Sequence, residues 1–542
     1  MEQYDFIIVG AGSAGCALAH RLTERPDFNV LLIEAGPQDP GFFSRMPMGF
    51  KQLFQNPKFD WNYRPESNPN MPARPQPWIR GKMLGGSSAI NGMVYVRGQP
   101  EDFDGWAALG NVGWGWQDVL PVYRSMENHE LGADDCRGAG GLVDVTCARE
   151  SNELSDAYIE AAVQLGLPRK VDLNRPDQVG VGYFQRTIKD GKRVSSATAF
   201  LSRCRGKKNL TIICDAHVTK VVTQGRRATG IECLQNGTKR AFAAAKEVIL
   251  SAGSINSPQL LQLSGIGPAA HLKSAGIEVL HDLPGVGGNL QEHLNAGCVH
   301  TVSRGSLNPA FRSWGLVRSM LTYVTLQRGV MAMAAAQVGA FAKTRAGLSR
   351  ANAQWHMAPL RMVAKGGEDI AGGGDTEMEV AAVGGITSFG CVMHPAPGGD
   401  VLIQSSDPLK PPRIRYEHLR SEEDRRTMVK IIQLTRKIAE QPALAPFIQE
   451  EVLPGPQVQS DEALLDYATK TGQLGYHPVG TCKMGRDSQA VVSHELKVHG
   501  VQGLRVVDAS IMPVITSGNT NAPSMMIGFK AGGMILTEYK QG

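Results

Sequence analysis

The chain has 542 residues, more than one ordinary compact domain holds, so two domains or one elaborated core are predicted. Hydrophobic residues make up 42% and charged residues 20%, which excludes a disordered or acidic solvating chain. The net charge of +5, 6% aromatics and the lack of a long basic run argue against a nucleic-acid partner.

The chain opens on Met-Glu-Gln-Tyr-Asp and passes at once into an apolar strand, without the basic and apolar regions of a signal peptide. Phe6-Ile7-Ile8-Val9 ends in the glycine turn Gly10-x-Gly12-x-x-Gly15. Leu18, Ala19 and Leu22 then share a helical face, and Val30-Leu31-Leu32-Ile33 gives a second buried strand. Strand, turn, helix and strand make a βαβ unit. An extended excursion follows from Gly36 to about Arg80, and then a second glycine cluster, Gly81 to Ser88. Short strands alternate from 210 to 250, ending at Gly253, and a helix begins near Ser257. Residues 300 to 460 are richer in Met and Ala and read as a second domain of sheet plus helices. Val330–Ala342 is apolar but too short for the roughly 20 residues of a membrane span, so it reads as a helix or loop. The last eighty residues return to glycine turns and strands such as Leu504-Arg505-Val506-Val507.

Nine dispersed cysteines, with no CxxC and no zinc-like cluster, fit reduced thiols in the cytoplasm and no metal. The 62 glycines exceed the ~7% average without a collagen period, so they serve turns and close backbone approaches. In the first motif, Gly10 makes the tight turn, Gly12 lets backbone approach a pyrophosphate, and Gly15 lets the helix pack on the strand. The helix N-terminus offers free N–H groups to phosphate. Glu34, nineteen residues beyond Gly15, stands where an acid accepts from a ribose hydroxyl. This predicts dinucleotide binding without separating FAD from NAD.

Longer segments make that separation. Arg80 to Gly92, Gly253-Ser254-Ile255-Asn256-Ser257-Pro258 with Ser264-Gly265-Ile266-Gly267, and Leu283 to Leu290 follow one another in order. Tyr476-His477-Pro478-Val479-Gly480-Thr481-Cys482, Val507 to Pro513 and Gly518-Asn519-Thr520-Asn521-Ala522-Pro523 complete the set. Together they resemble the glucose–methanol–choline (GMC) FAD-dependent oxidoreductases over nearly the whole chain, most weakly from 300 to 390. The form of the His477 segment looks most like the choline-dehydrogenase-like alcohol dehydrogenases.

The resemblance implies an α/β protein of the GMC fold. A Rossmann-like FAD domain would span 1–150, 193–300 and 462–542, and a discontinuous α+β substrate domain 151–192 and 301–461. Gly10, Gly12, Ser13, Gly15, Glu34 and Ala35 would hold the pyrophosphate and adenosine part. Gly85, Ser88, Asn91, Gly92 and Val94 would lie along the flavin, Val218 would meet adenine, and Asp508, Ala509, Asn519 and Thr520 would complete the cofactor site. His477 is implied as the base that takes the alcohol proton, a task suited to a group with an unperturbed pKa of about 6.5. Asn521, forty-four residues on, is its implied partner, with Asn519 the competing reading. Tyr476 and Met93 would line the substrate pocket, Cys482 would pack behind His477, and His356 and His394 are given no role.

Ile90 stands where some members tether FAD through histidine, so the resemblance implies a noncovalent cofactor. Pro395-Ala396-Pro397-Gly398-Gly399 departs from the common Pro-x-Ser-Arg-Gly, and Phe529 replaces a frequent glutamate. The implied reaction oxidises a primary aliphatic or aromatic alcohol by hydride transfer to flavin, with a quinone-like acceptor or oxygen as the second partner. A flavin-containing lyase or a light-driven decarboxylase are the alternatives on this fold. The expected location is cytoplasmic, with membrane contact no more than peripheral on the inner face.

Overall fold

The computed structural model describes residues 1–66, 77–364 and 378–540. Part of the Gly36–Arg80 excursion therefore lies outside the described residues. Two seven-stranded sheets organise the chain. In the first, Leu210–Ile213, Val30–Ile33, Glu2–Val9, Thr238–Leu250 and Leu504–Val506 run parallel. The strand Thr238–Leu250 changes neighbours along its length. Its first half pairs antiparallel with Arg227–Gln235, and its end pairs parallel with Leu504–Val506. The central strands are buried on both faces, which is why they read as unbroken apolar runs instead of alternating ones.

The predicted βαβ unit is present, with the helix Ser13–Leu22 between Glu2–Val9 and Val30–Ile33. A Cβ on Gly15 would lie 2.0 Å from the Gly10 carbonyl oxygen, so only glycine lets this helix sit so close to its strand. The long C-terminal helix Asn521–Glu538 packs beside it, where a Cβ on Gly528 would lie 2.1 Å from the Ala14 oxygen.

The second sheet is antiparallel, in the order Ile448–Leu453, Leu294–Val302, Gly385–Val392, Ala353–Ala358, Val338–Ala342 and Gly180–Tyr183. Helices Glu153–Gln164, Glu422–Ala439 and Asp461–Thr471 cover one face of it. Strand alternation sorts Ala353–Ala358 cleanly. Trp355 and Met357 enter the helix-side core, and the Trp355 indole N–H donates to Thr435 of Glu422–Ala439 at 2.9 Å. Gln354 and His356 point to the opposite face.

Three readings from sequence differ. Val338–Ala342, expected within a helix or loop, is a strand, because it pairs with Ala353–Ala358 on one side and Gly180–Tyr183 on the other, and Gly339 leaves room for the Phe184 ring. Strand Leu294–Val302 lies in the second sheet although its first residues fall before the expected boundary at 300, and helix Asp461–Thr471 packs in the second core although the returning segment is expected to begin with it. The nine cysteines are free, as expected.

A Cβ on Gly339 would sit 2.3 Å from the Phe184 ring. Gly339→Ala is therefore expected to destabilise the protein by about 1–3 kcal/mol, the usual cost of overpacking a filled core. Urea unfolding of the two FAD-loaded proteins checks it, and an unchanged midpoint would mean that the strand shifts freely.

Candidate active site

A long cleft opens at the carboxyl ends of the parallel strands, where open α/β sheets bind ligands. Gly10, Gly12 and Ser13 line one end with Glu34, Ala35 and Val218. Asn91, Gly92, Met93, Val94, Tyr476 and His477 line the other, and Asp508, Ala509, Asn519, Thr520 and Asn521 run between. Gly12 caps the helix Ser13–Leu22 with no side-chain acceptor on its first N–H groups, which leaves them for an anion. A Cβ on Gly12 or Gly253 would project into open space along the cleft, so both glycines keep room for a ligand pressed against the backbone. These features fit a dinucleotide cofactor.

Gly15, Gly85 and Ser88 are not part of the lining. Gly15 works through packing, as described above. Gly85 is a left-handed turn residue whose N–H donates to the Ala11 oxygen. The Ser88 hydroxyl is consumed between the Gly85 oxygen, to which it donates, and the Ser196 N–H, from which it accepts. Ser88 thus braces the loop and does not present its hydroxyl to the cleft.

The acids in the cleft are held by backbone donors. Glu34 accepts from Ala11 N–H at 2.9 Å and Gly36 N–H at 3.0 Å, and burial pushes its carboxyl up to about 7 against those bonds. Asp508 accepts from Gly253 N–H, the Ser257 hydroxyl and Ser510 N–H, tying two helix starts together. Burial raises its pKa as well.

At the far end the hydrogen bonds fix one tautomer. The His293 Nε2 lies 2.9 Å from the Met393 carbonyl oxygen, which only accepts, so Nε2 carries the hydrogen. Nδ1 of neutral His293 is then an acceptor, and the His477 Nδ1, 3.0 Å away, is its donor. The remaining nitrogen of His477, Nε2, keeps its lone pair, and the Asn519 amide nitrogen lies 3.1 Å from it. Asn519 is itself oriented, because its oxygen accepts from Gln354 Nε2 at 3.2 Å and faces His356 Nε2 at 3.4 Å.

Burial keeps these imidazoles neutral. It drives His477 well below its ordinary value, with neighbouring His293, His356 and Arg80 adding to the effect, and pushes His293 and His356 down to about 4. Behind His477, both oxygens of buried Glu292 accept its backbone N–H, at 2.7 and 2.8 Å. Glu292 also accepts from His293 N–H and the Trp78 indole, and burial raises its carboxyl to about 7 while Arg80 opposes the rise. Arg80 donates to the Tyr476 carbonyl. Tyr476 and Met93 are non-glycine residues in the left-handed region, with φ of 61° each, at the wall of the cleft. Such strain collects at functional sites.

The structure separates the two asparagines that the sequence offers for the pair. Asn519, not Asn521, reaches His477, while the Asn521 oxygen accepts from the Ser13 hydroxyl at 2.8 Å. Asn521 begins the C-terminal helix, so its side chain faces the helix Ser13–Leu22 that packs alongside. The sequence reading does not single out His293, Glu292 or Gln354, and it gives His356 no role. The only available signal was the apolar alternation of Ala353–Ala358, which puts Gln354 and His356 on one face. His394 lies apart, 2.9 Å from Asp102 and 2.8 Å from Ser517. Cys482 is buried in the first core.

Family models described as GMC oxidoreductase match residues 4–295 and 395–528. The oxygen-dependent choline dehydrogenase of Pseudomonas fluorescens is 41% identical over 540 residues, covering 98% of this chain and 93% of that one. The alcohol dehydrogenase [acceptor] of Pseudomonas putida is 38% identical over 539 residues, covering 98% and 96%. Among solved structures, pyridoxine 4-oxidase from Mesorbium loti matches with a TM-score of 0.87 at 31% identity over 99% of both chains.

His356 gives a test of the buried imidazoles. Its folded pKa lies below the unfolded value, so below about 6.5 the unfolded chain binds a proton that the folded site refuses, and folding weakens as pH falls toward 4. His356→Gln removes this contribution, and those of Glu34 and Glu292 are common to both proteins. Wild type is expected to lose about 2–4 kcal/mol relative to the variant between pH 6.5 and pH 4, read by denaturant unfolding across pH. A pH-independent difference would contradict it.

Proposed function

The chain belongs to the GMC oxidoreductase family and is an FAD-dependent alcohol oxidoreductase, and within that activity we propose that it oxidises an uncharged primary alcohol, aliphatic or aromatic, to the aldehyde. The observation that carries this is the unprotonated Nε2 of His477 beside the oriented amide of Asn519. Bound FAD supplies the hydride acceptor. Gly10, Gly12 and Ser13 would hold its pyrophosphate, and Glu34, Ala35 and Val218 its adenosine part. Asn91, Gly92 and Val94 would lie along the ring system. Ile90 supports a noncovalent cofactor, since it offers no nucleophile for a tether.

His477 Nε2 takes the hydroxyl proton as the carbinol carbon gives up hydride. Base help of this kind is worth about 10²–10⁴ in rate. Asn519 N–H donates to the alcohol oxygen and holds it at His477, with Gln354 and His356 keeping the amide from turning over. His293 is a positioning residue. It accepts the Nδ1–H of His477 and so keeps the reactive lone pair on Nε2. Asn521 belongs to the cofactor end, through Ser13.

The charges around the cleft support a neutral substrate. Among its described lining residues the carboxylates are Glu34, at the dinucleotide end, and Asp508, between the two ends, both taken by backbone donors. Near His477 the lining charge is the guanidinium of Arg80. The positive charge of Arg80 would repel a quaternary ammonium. The electrons would leave to a quinone-like acceptor or to oxygen.

An anaerobic screen of choline, hexanol and benzyl alcohol, watching the flavin absorbance bleach, tests the reading. The uncharged alcohols are expected to reduce the flavin fastest. His477→Ala should keep yellow, FAD-loaded protein and lose at least about 10²-fold in the reduction rate. Asn519→Ala should slow reduction with the FAD content unchanged, whereas Asn521→Ala should weaken FAD retention. Choline as the best reductant, or normal reduction in His477→Ala, would overturn the proposal.

A further inference from the structure

Helix Ser313–Leu326 is inside out. Trp314, Val317, Leu321 and Val324 fall at i, i+3, i+7 and i+10, a single apolar stripe, yet they are 84%, 45%, 61% and 57% exposed. The opposite face is already taken. Tyr323 is buried there against Met46, Met331 and Ala332, with Met320 beside them. The helix therefore has no freedom to roll its stripe inward. Phe42, partly exposed, packs edge-on against Tyr323 with ring centroids 6.1 Å apart and extends the patch, and Phe43 adjoins it.

The stretch of sequence that carries the stripe is basic. No acidic residue occurs between Glu292 and Glu368, while Arg312, Arg318 and Arg328 stand on or at the ends of the helix, all exposed. A second copy of the chain fits such a face poorly. A twofold contact would set like arginines against each other. An anionic lipid surface fits it well, with an apolar stripe, a tryptophan at its start and basic flanks. At fourteen residues the helix is about 21 Å long, too short to cross a bilayer, and among the described residues no helix is long and apolar enough to do so.

We propose that helix Ser313–Leu326 lies in the interfacial plane of an anionic membrane, its Trp314–Val324 stripe among the acyl chains and its arginines at the headgroups. The inner face of the helix rests on the segments that lead to the cleft. Met331 and Ala332 run into Ala335, whose N–H donates to the Gly92 oxygen in the cleft wall, and Phe42 and Met46 belong to the stretch that reaches Phe54, also in the wall. A membrane docked here would meet the protein on the side from which that wall is built. The proposal does not depend on which alcohol is oxidised.

The test is flotation of the FAD-loaded protein with vesicles of phosphatidylglycerol and phosphatidylcholine, against vesicles of phosphatidylcholine alone. Wild type is expected to float with the anionic vesicles and to be released by high salt. Trp314→Ser/Leu321→Gln/Val324→Gln should lower bound protein by about tenfold or more, with FAD content and anaerobic flavin bleaching in vesicle-free buffer unchanged. Arg318→Glu should weaken binding to the anionic vesicles alone. No flotation of wild type, or equal flotation of the triple variant, overturns the proposal. Light scattering separates the rival, because a wild-type dimer that the triple variant turns into a monomer, without loss of flotation, would make this face an interface between copies.

Discussion

Two buried neutral imidazoles, His293 and His477, face each other through their Nδ1 atoms at 3.0 Å, and only one of the two can carry the hydrogen between them. Such a contact has no direction of its own. The Met393 carbonyl supplies it, by requiring the hydrogen of His293 on the far side. Protonating His293 would put a hydrogen on both facing atoms and break the contact, so the contact requires burial that keeps the His293 pKa low. The backbone enforces the approach. Gly475 N–H donates to the His293 oxygen at 2.7 Å, and Glu292 grips the His477 N–H with both carboxylate oxygens.

The remaining parts of the site come from both sheets. Met393 follows the strand Gly385–Val392, Gln354 and His356 stand on Ala353–Ala358, and His293 precedes Leu294–Val302, all in the antiparallel sheet. Asn519 comes from the loop ahead of the C-terminal helix, which packs on the parallel one. Asp102 anchors that loop, accepting from the Ser517 N–H at 2.7 Å and its hydroxyl at 2.9 Å. Burial alone would raise its carboxyl, but His394, Arg350 and that N–H hold it at about 2. His394 therefore belongs to the seam between the sheets and not to the chemistry.

The cofactor end was legible in the sequence because its signals are local. Gly10, Gly12, Gly15 and Glu34 lie within one βαβ unit, where chain order and spatial order agree. His477 was legible through its surrounding motif. The choice between Asn519 and Asn521 was not, since two asparagines in one short loop differ only in where the turn points each amide. Counting along the chain picks the one that opens the helix, and the helix aims it at Ser13. His293, Gln354 and His356 carry no local mark, because a polar residue in a strand gains meaning only from the face it is given. Val338–Ala342 misled for a related reason. Ala and Gly supply little periodicity, and the strand is held by neighbours far away in sequence.

The surroundings of His477 suit the role proposed for it, a base neutral at rest and charged only in passing. Glu292 and Arg80 lie behind it, both buried, with their fields opposed. Burial keeps the ring neutral, and in the proposed mechanism a proton arriving on Nε2 would find Glu292 already bonded to the same residue's backbone. In that mechanism, charge developing on the alcohol oxygen as the proton leaves would be met from the other side by the Asn519 N–H. Groups already held in place would thus serve both halves of the proposed proton transfer without having to move, which is the economy expected of a preorganised site.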